Sequence, residues 1–77
     1  MIKRIHNNQE LMNNIDHVRI HKCYSFKQLQ EVTNISSGQL CNAINCKTTL
    51  SIEKLFQVLD TLEINLCLEV NEKKFDW

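Results

Sequence analysis

Two capping boxes eleven residues apart constrain this chain more than any other feature. Ser25-Phe26-Lys27-Gln28 and Ser36-Ser37-Gly38-Gln39 each place a glutamine three residues after a serine. In that spacing the two side chains satisfy backbone N–H groups that a first helical turn leaves unpaired. Apolar staples flank both boxes, Tyr24 with Leu29 and Ile35 with Leu40. Between them lies room for about two turns of helix and then Thr33-Asn34-Ile35. Asn34 stands where a left-handed residue would end the first of these helices, and asparagine tolerates that conformation well. Two helices joined so tightly must cross steeply, which is the helix-turn-helix arrangement.

The rest of the chain has to supply a core for that pair. Seventy-seven residues allow one domain with a modest core, and domains of this size often gain stability by pairing with a copy. The absence of proline and the single glycine, Gly38, fit a compact helical protein. No apolar run is long enough to span a membrane, and the N-terminus lacks a signal-peptide pattern, so the expected location is the cytoplasm.

Cysteines stand at positions 23, 41, 46 and 67 without a C-x-x-C pair. In a reducing compartment they read as buried or half-buried free thiols. His17 and His21 share a helical face, but no Glu or third ligand accompanies them in the pattern a zinc site needs. The expectation is a protein with no metal and no cofactor. Scattered carboxylates, the lack of a phosphate-binding glycine loop and the lack of a Cys–His motif also argue against an enzyme.

Net charge is zero, yet its distribution is not even. Residues 1–47 carry six basic side chains against three acidic ones, and residues 48–77 carry three against six. The first part is therefore +3 and the second −3, with all three histidines in the first. Such a molecule presents a basic face to phosphate and turns its acidic part away.

Periodicity predicts the flanking elements. A first helix starts near Asn7 or Asn8, with Glu10 favouring its N-terminal dipole, and ends near Lys22. Leu11, Ile15 and Val18, with Met12, form its apolar stripe. The second helix covers Phe26 to about Val32 and buries Leu29 and Val32; the third covers Ser37 to about Ile44 and buries Leu40 and Ala43. After a polar loop, Ser51 caps a fourth helix whose stripe is Ile52, Leu55, Phe56, Leu59 and Leu62. The period then changes to two. Ile64, Leu66, Leu68 and Val70 alternate with Asn65, Cys67, Glu69 and Asn71, the pattern of a half-buried strand. A lone strand needs an edge to pair with. Met1–His6 is one source, and a two-fold-related copy of the same strand is the preferred one. The domain thus runs over 1–71, and 72–77 reads as a mobile tail holding Phe75 and Trp77.

Taken together, these residues resemble the lambda-repressor/Cro-like (XRE-type) helix-turn-helix family, and within it the HipB-like antitoxins of HipAB toxin–antitoxin modules. The family pattern T-Q-x-x-L-A-x-x-x-G-[VI]-S falls on Ser25, Phe26, Leu29, Gln30, Asn34, Ile35 and Ser36. The HipB-like part is TTLSIEKLFQVLDTLEINLCLEV, a helix running into an alternating strand, followed by a tail that closes in Asp76-Trp77. The resemblance implies a mainly α, four- to five-helix domain whose C-terminal strands pair across a homodimer. It further implies repression of the protein's own operon and binding to a kinase-fold, HipA-like toxin. Four positions depart from the pattern. Phe26 replaces a glutamine, Gln30 an alanine and Asn34 a glycine. Ile44 replaces a glutamate, which removes an ion pair otherwise available to Arg19.

The N-terminal part of a recognition helix shows its side chains to base edges in the major groove. Ser36, Ser37, Gln39 and Asn42 are the base-contact candidates, with Gly38 allowing close backbone approach. Glutamine and asparagine suit adenine, and no arginine or lysine between Ser36 and Cys46 is present to read guanine strongly. Phosphate-contact candidates are Ser25, Lys27, Asn45 and Lys47, then Arg19 and Lys22. Ile64, Leu66, Leu68 and Val70 are the dimer-interface candidates. The expected partners are an inverted-repeat DNA operator, a second copy and a HipA-like toxin. The competing readings are a stand-alone or phage-type repressor, and an interaction module of the same fold that no longer binds DNA.

Overall fold

In the computed structural model, which describes residues 2–70, four helices follow one another: α1 Asn8–His21, α2 Phe26–Thr33, α3 Ser37–Ile44 and α4 Ile52–Thr61. The mobile tail expected at 72–77 lies outside the described residues. Every helix begins on a side-chain cap. Asn7 accepts the Glu10 N–H, Ser25 that of Gln28, Ser36 that of Gln39 and Ser51 that of Lys54. The first box is complete, with the Ser25 N–H donating to Gln28 Oε1 at 2.8 Å. The second is only half made, with Ser36 Oγ accepting the Gln39 N–H. Gln39 does not fold back; Gln30 of α2 reaches across the turn, and its Oε1 accepts the Ser37 N–H at 2.8 Å.

The helix ends are made without glycine. Cys23, Asn34, Cys46 and Glu63 all adopt left-handed backbone, with φ near 60°. After α1, the Cys23 N–H donates to the Ile20 carbonyl and the Tyr24 N–H to that of Arg19. The same pair of bonds recurs at Cys46 and Lys47 after α3, and at Glu63 and Ile64 after α4. These are Schellman ends, which satisfy the last orphan carbonyls. Asn34 ends α2 as expected from the sequence, at φ 61° and ψ 22°.

Packing of α2 on α3, α2 on α4 and α1 on α3 encloses one core. Met12 and Ile15 of α1, Leu29 of α2, Ile35 of the turn, Leu40 of α3, and Val58, Leu59 and Leu62 from α4 and its cap meet there. Two expectations for this core are corrected. Val32 is exposed, and Thr33 is buried in its place. A threonine is tolerated there because its hydroxyl donates to the Leu29 carbonyl at 2.7 Å and accepts the Ile35 N–H at 3.3 Å. On α4, Ile52 and Phe56 are exposed and Val58 is buried. The apolar residues of α4 span more than the ~100° of surface that a core covers. Val58, Leu62, Leu55 and Leu59 fill that arc, leaving Ile52 and Phe56 beyond its edge.

The thiols differ from expectation as well. Cys41 is half-buried, whereas Cys23, Cys46 and Cys67 are exposed free thiols. Cys23 and Cys46 occupy the left-handed positions of helix ends, and these point the chain out into turns. Among the described residues, no helix is long and apolar enough to cross a membrane.

Beyond α4, residues 64–70 form no regular element, and among the described residues no strand ladder forms. Ile64 packs against the core, while Leu66 and Leu68 remain 50% and 85% exposed. The N-terminal residues 2–6 flank the same groove from the other side. Their contact includes an Arg4–Glu69 ion pair of 3.7 Å between two largely exposed side chains, an arrangement that contributes little stability.

Candidate nucleic-acid interface

The first turn of α3 carries four of the five base-contact candidates. Ser36 is its N-cap, with Oγ accepting the Gln39 N–H at 3.1 Å. Ser37 and Gln39 are half-buried, and Gly38 is exposed. A methyl group built on Gly38 would meet nothing within 4 Å, so this glycine answers no packing need inside the domain and leaves the helix backbone open to an approaching surface. Asn42, four residues beyond Gly38, shares its face of the helix and is exposed. Serine hydroxyls, amides and bare backbone together make a polar, uncharged surface at a helix N-terminus, the end that carries partial positive charge.

The phosphate candidates divide into three groups. Ser25, Lys27 and Lys47 are exposed, the first two at the start of α2 and the third just after α3. Asn45 is the C-cap of α3 and spends its amide locally, donating to the Cys41 carbonyl at 3.0 Å. Arg19 and Lys22 are occupied elsewhere. The Arg19 side chain is only 15% exposed, and its guanidinium contacts Asp16 at 2.8 Å. It also donates to the Tyr24 carbonyl at 2.7 Å and lies 4.1 Å above the centre of the Phe26 ring. This arrangement explains two departures noted in the sequence. With Ile44 unable to pair with it, the arginine takes Asp16 one turn back on α1, and Phe26 provides a π-face. Lys22 pairs with Glu63 at 3.6 Å on the groove beside the C-terminal segment.

Sequence reasoning missed Lys54. It lies in the first turn of α4 and reaches α3, where its Nζ stands 3.5 Å from Gln39 Oε1. Only the fold joins these positions, fifteen residues apart.

No protein-family model and no curated protein sequence matches the chain. Solved structures do match. A single-substitution variant of HipB in complex with an O2 20mer superposes at a TM-score of 0.82, with 94% of this chain and all of that chain covered at 19% identity. HipB in complex with an O4 20mer gives 0.81 over 92% of this chain and all of its own length, at 20% identity. The fold is the HipB-type helix-turn-helix fold. A structure titled MDT Protein gives 0.82 over 92% of this chain and all of its own, also at 20% identity. Within the HipB-type fold, α2 and α3 form the helix-turn-helix pair.

Proposed function

We propose that this chain is a homodimeric, sequence-specific DNA-binding antitoxin that represses its own operon and binds a HipA-like, kinase-fold toxin. The observation that carries the reading is the open, polar first turn of α3, with Gly38 and Asn42 exposed. It sits on a fold shared along 94% of the chain with HipB in complex with a 20mer. On this reading Ser36, Ser37, Gly38, Gln39 and Asn42 face base edges, and Ser25, Lys27, Asn45 and Lys47 contact phosphates. Arg19 and Lys22 serve the domain itself. Ile64, Leu66, Leu68 and Val70 join the two subunits through antiparallel strands, which accounts for the exposure of Leu66 and Leu68 in a single chain. None of these roles requires catalysis, and a stand-alone or phage-type repressor would use the same residues.

A second reading, an interaction module without DNA affinity, draws on the exposed Val32, Ile52 and Phe56 of α2 and α4. Mobility shift with the upstream promoter separates the two. The repressor reading expects saturable binding to an inverted repeat whose half-sites lie about one DNA turn, roughly 34 Å, apart. Binding no tighter than to random duplex at moderate salt would leave the interaction module.

A further inference from the structure

An ammonium group donates hydrogen bonds and accepts none, so the 3.5 Å contact of Lys54 Nζ with Gln39 Oε1 favours one orientation of the Gln39 amide over its flip. Its oxygen faces Lys54 and its NH2 group faces away. Both residues are half-buried, which strengthens the preference for the paired orientation over one exchanged with water. Lys54 takes up one of the two lone pairs of the Gln39 oxygen and turns it inward, which leaves the NH2 group as the outward-facing end of the side chain.

We propose that Lys54 is a positioning residue for base selection: by holding the Gln39 oxygen, it directs Gln39 to a base presenting acceptors, guanine or thymine, and away from adenine. The inference rests on the DNA-binding reading above. A free glutamine pairs with adenine through two bonds, its oxygen accepting from N6 and its NH2 donating to N7. With the oxygen turned toward Lys54, the bidentate fit to adenine is disfavoured and the bond to N7 is the one retained. Guanine presents N7 and O6, and thymine presents O4, all of them acceptors for the outward NH2. The recognition helix thus gains a guanine- or thymine-reading group although it contains no arginine or lysine. Asn42, exposed on the same helix, keeps its adenine preference, so one helix reads two kinds of base edge.

Affinity selection from a randomised duplex library, using the full chain and its variants, tests this. Gln39→Ala identifies the base position by the loss of preference there. At that position the wild type is expected to favour guanine or thymine over adenine by about fivefold or more, the lower end of discrimination by base-edge hydrogen bonds. Lys54→Met keeps the aliphatic stem, removes the donor and is expected to move the preference to adenine. Lys54→Arg also only donates and is expected to retain the wild-type preference, whereas a merely structural role for Lys54 would leave Met and Arg with the same preference. Circular dichroism of each variant establishes that it is folded; should Lys54→Met fail to fold, the wild-type and Lys54→Arg preferences decide. Adenine favoured by the wild type at that position would overturn the proposal. So would an unchanged preference in folded Lys54→Met, or a Gln39→Ala profile identical to wild type. A wild type that selects no sequence at all would overturn the DNA-binding reading together with this inference, and that outcome is distinct from the others, which all presuppose selective binding.

Discussion

Gln30 Oε1 accepts the backbone N–H of Ser37 at 2.8 Å, so a side chain of α2 completes the N-terminal cap of α3. The two helices of the helix-turn-helix are therefore tied at the point where they diverge. The tie satisfies the Ser37 N–H, the first inside α3, which is a different donor from the Ser36 N–H that a closed capping box would assign to Gln39. A glutamine at position 30, in place of the alanine of the lambda-repressor/Cro-like pattern, thus has a structural reason.

Gln30→Ala is expected to destabilise the domain by about 1 kcal/mol, the typical worth of a helix-cap hydrogen bond. Gln39→Ala should cost much less, since Gln39 contributes only its backbone N–H to the cap. Urea denaturation of the two variants measures the difference. A larger loss in Gln39→Ala than in Gln30→Ala would mean that Gln39, not Gln30, supports the N-terminus of α3.

Arg19→Met is expected to cost about 2 kcal/mol, because it removes charge-assisted bonds at a largely buried site while keeping most of the apolar stem. A double-mutant cycle with Phe26→Leu should return a coupling of about 0.5–1 kcal/mol for the stacked guanidinium. The salt dependence of DNA binding should not change in Arg19→Met, whereas Lys47→Ala should reduce the slope by about one. A reduced slope in Arg19→Met would return Arg19 to the phosphate contacts.

Besides Asn34, three left-handed residues that carry side chains end helices, Cys23, Cys46 and Glu63, where glycine would be free of the Cβ penalty. Cys23→Gly and Glu63→Gly are each expected to stabilise the domain by about 0.5–1 kcal/mol. Thermal unfolding checks this, and a lower melting temperature for both would show that these side chains contribute contacts larger than the backbone strain.

Much of this architecture was legible in the residues themselves. Caps and staples are local signals, so Ser25, Ser36, Ser51 and Asn34 located the helix boundaries to within about a residue. What the sequence did not disclose depends on which face each helix turns inward. Val32 and Thr33 are adjacent, and hydrophobicity favours the valine; only the bonds from the Thr33 hydroxyl make the threonine the buried one. Ile52 and Phe56 extend a real stripe beyond the arc the core covers. The site shows the same division. Ser36, Gly38 and Asn42 could be placed from position along a helix, whereas the engagement of Arg19 by Asp16 and Phe26, and of Gln39 by Lys54, requires groups brought together by packing.

The assembly prediction turns on Leu66 and Leu68. In the single chain they are 50% and 85% exposed, on a segment whose backbone forms no ladder among the described residues. Two exposed leucines on a segment without regular structure are an unfavourable surface for a chain this small. Pairing with a two-fold copy would cover the side chains and satisfy the backbone at the same time. Leu66→Asp would place an unpartnered carboxylate in that shared core, at a cost of several kcal/mol. The expected result is a monomer by light scattering, with α1–α4 still folded by circular dichroism because Leu66 lies outside the central cluster. Promoter affinity should fall steeply, since two recognition helices no longer bind as one unit. Asn65→Ala on the alternate face should leave both assembly and affinity near wild type. A Leu66→Asp protein that remains a DNA-binding dimer would place the subunit interface elsewhere on the domain.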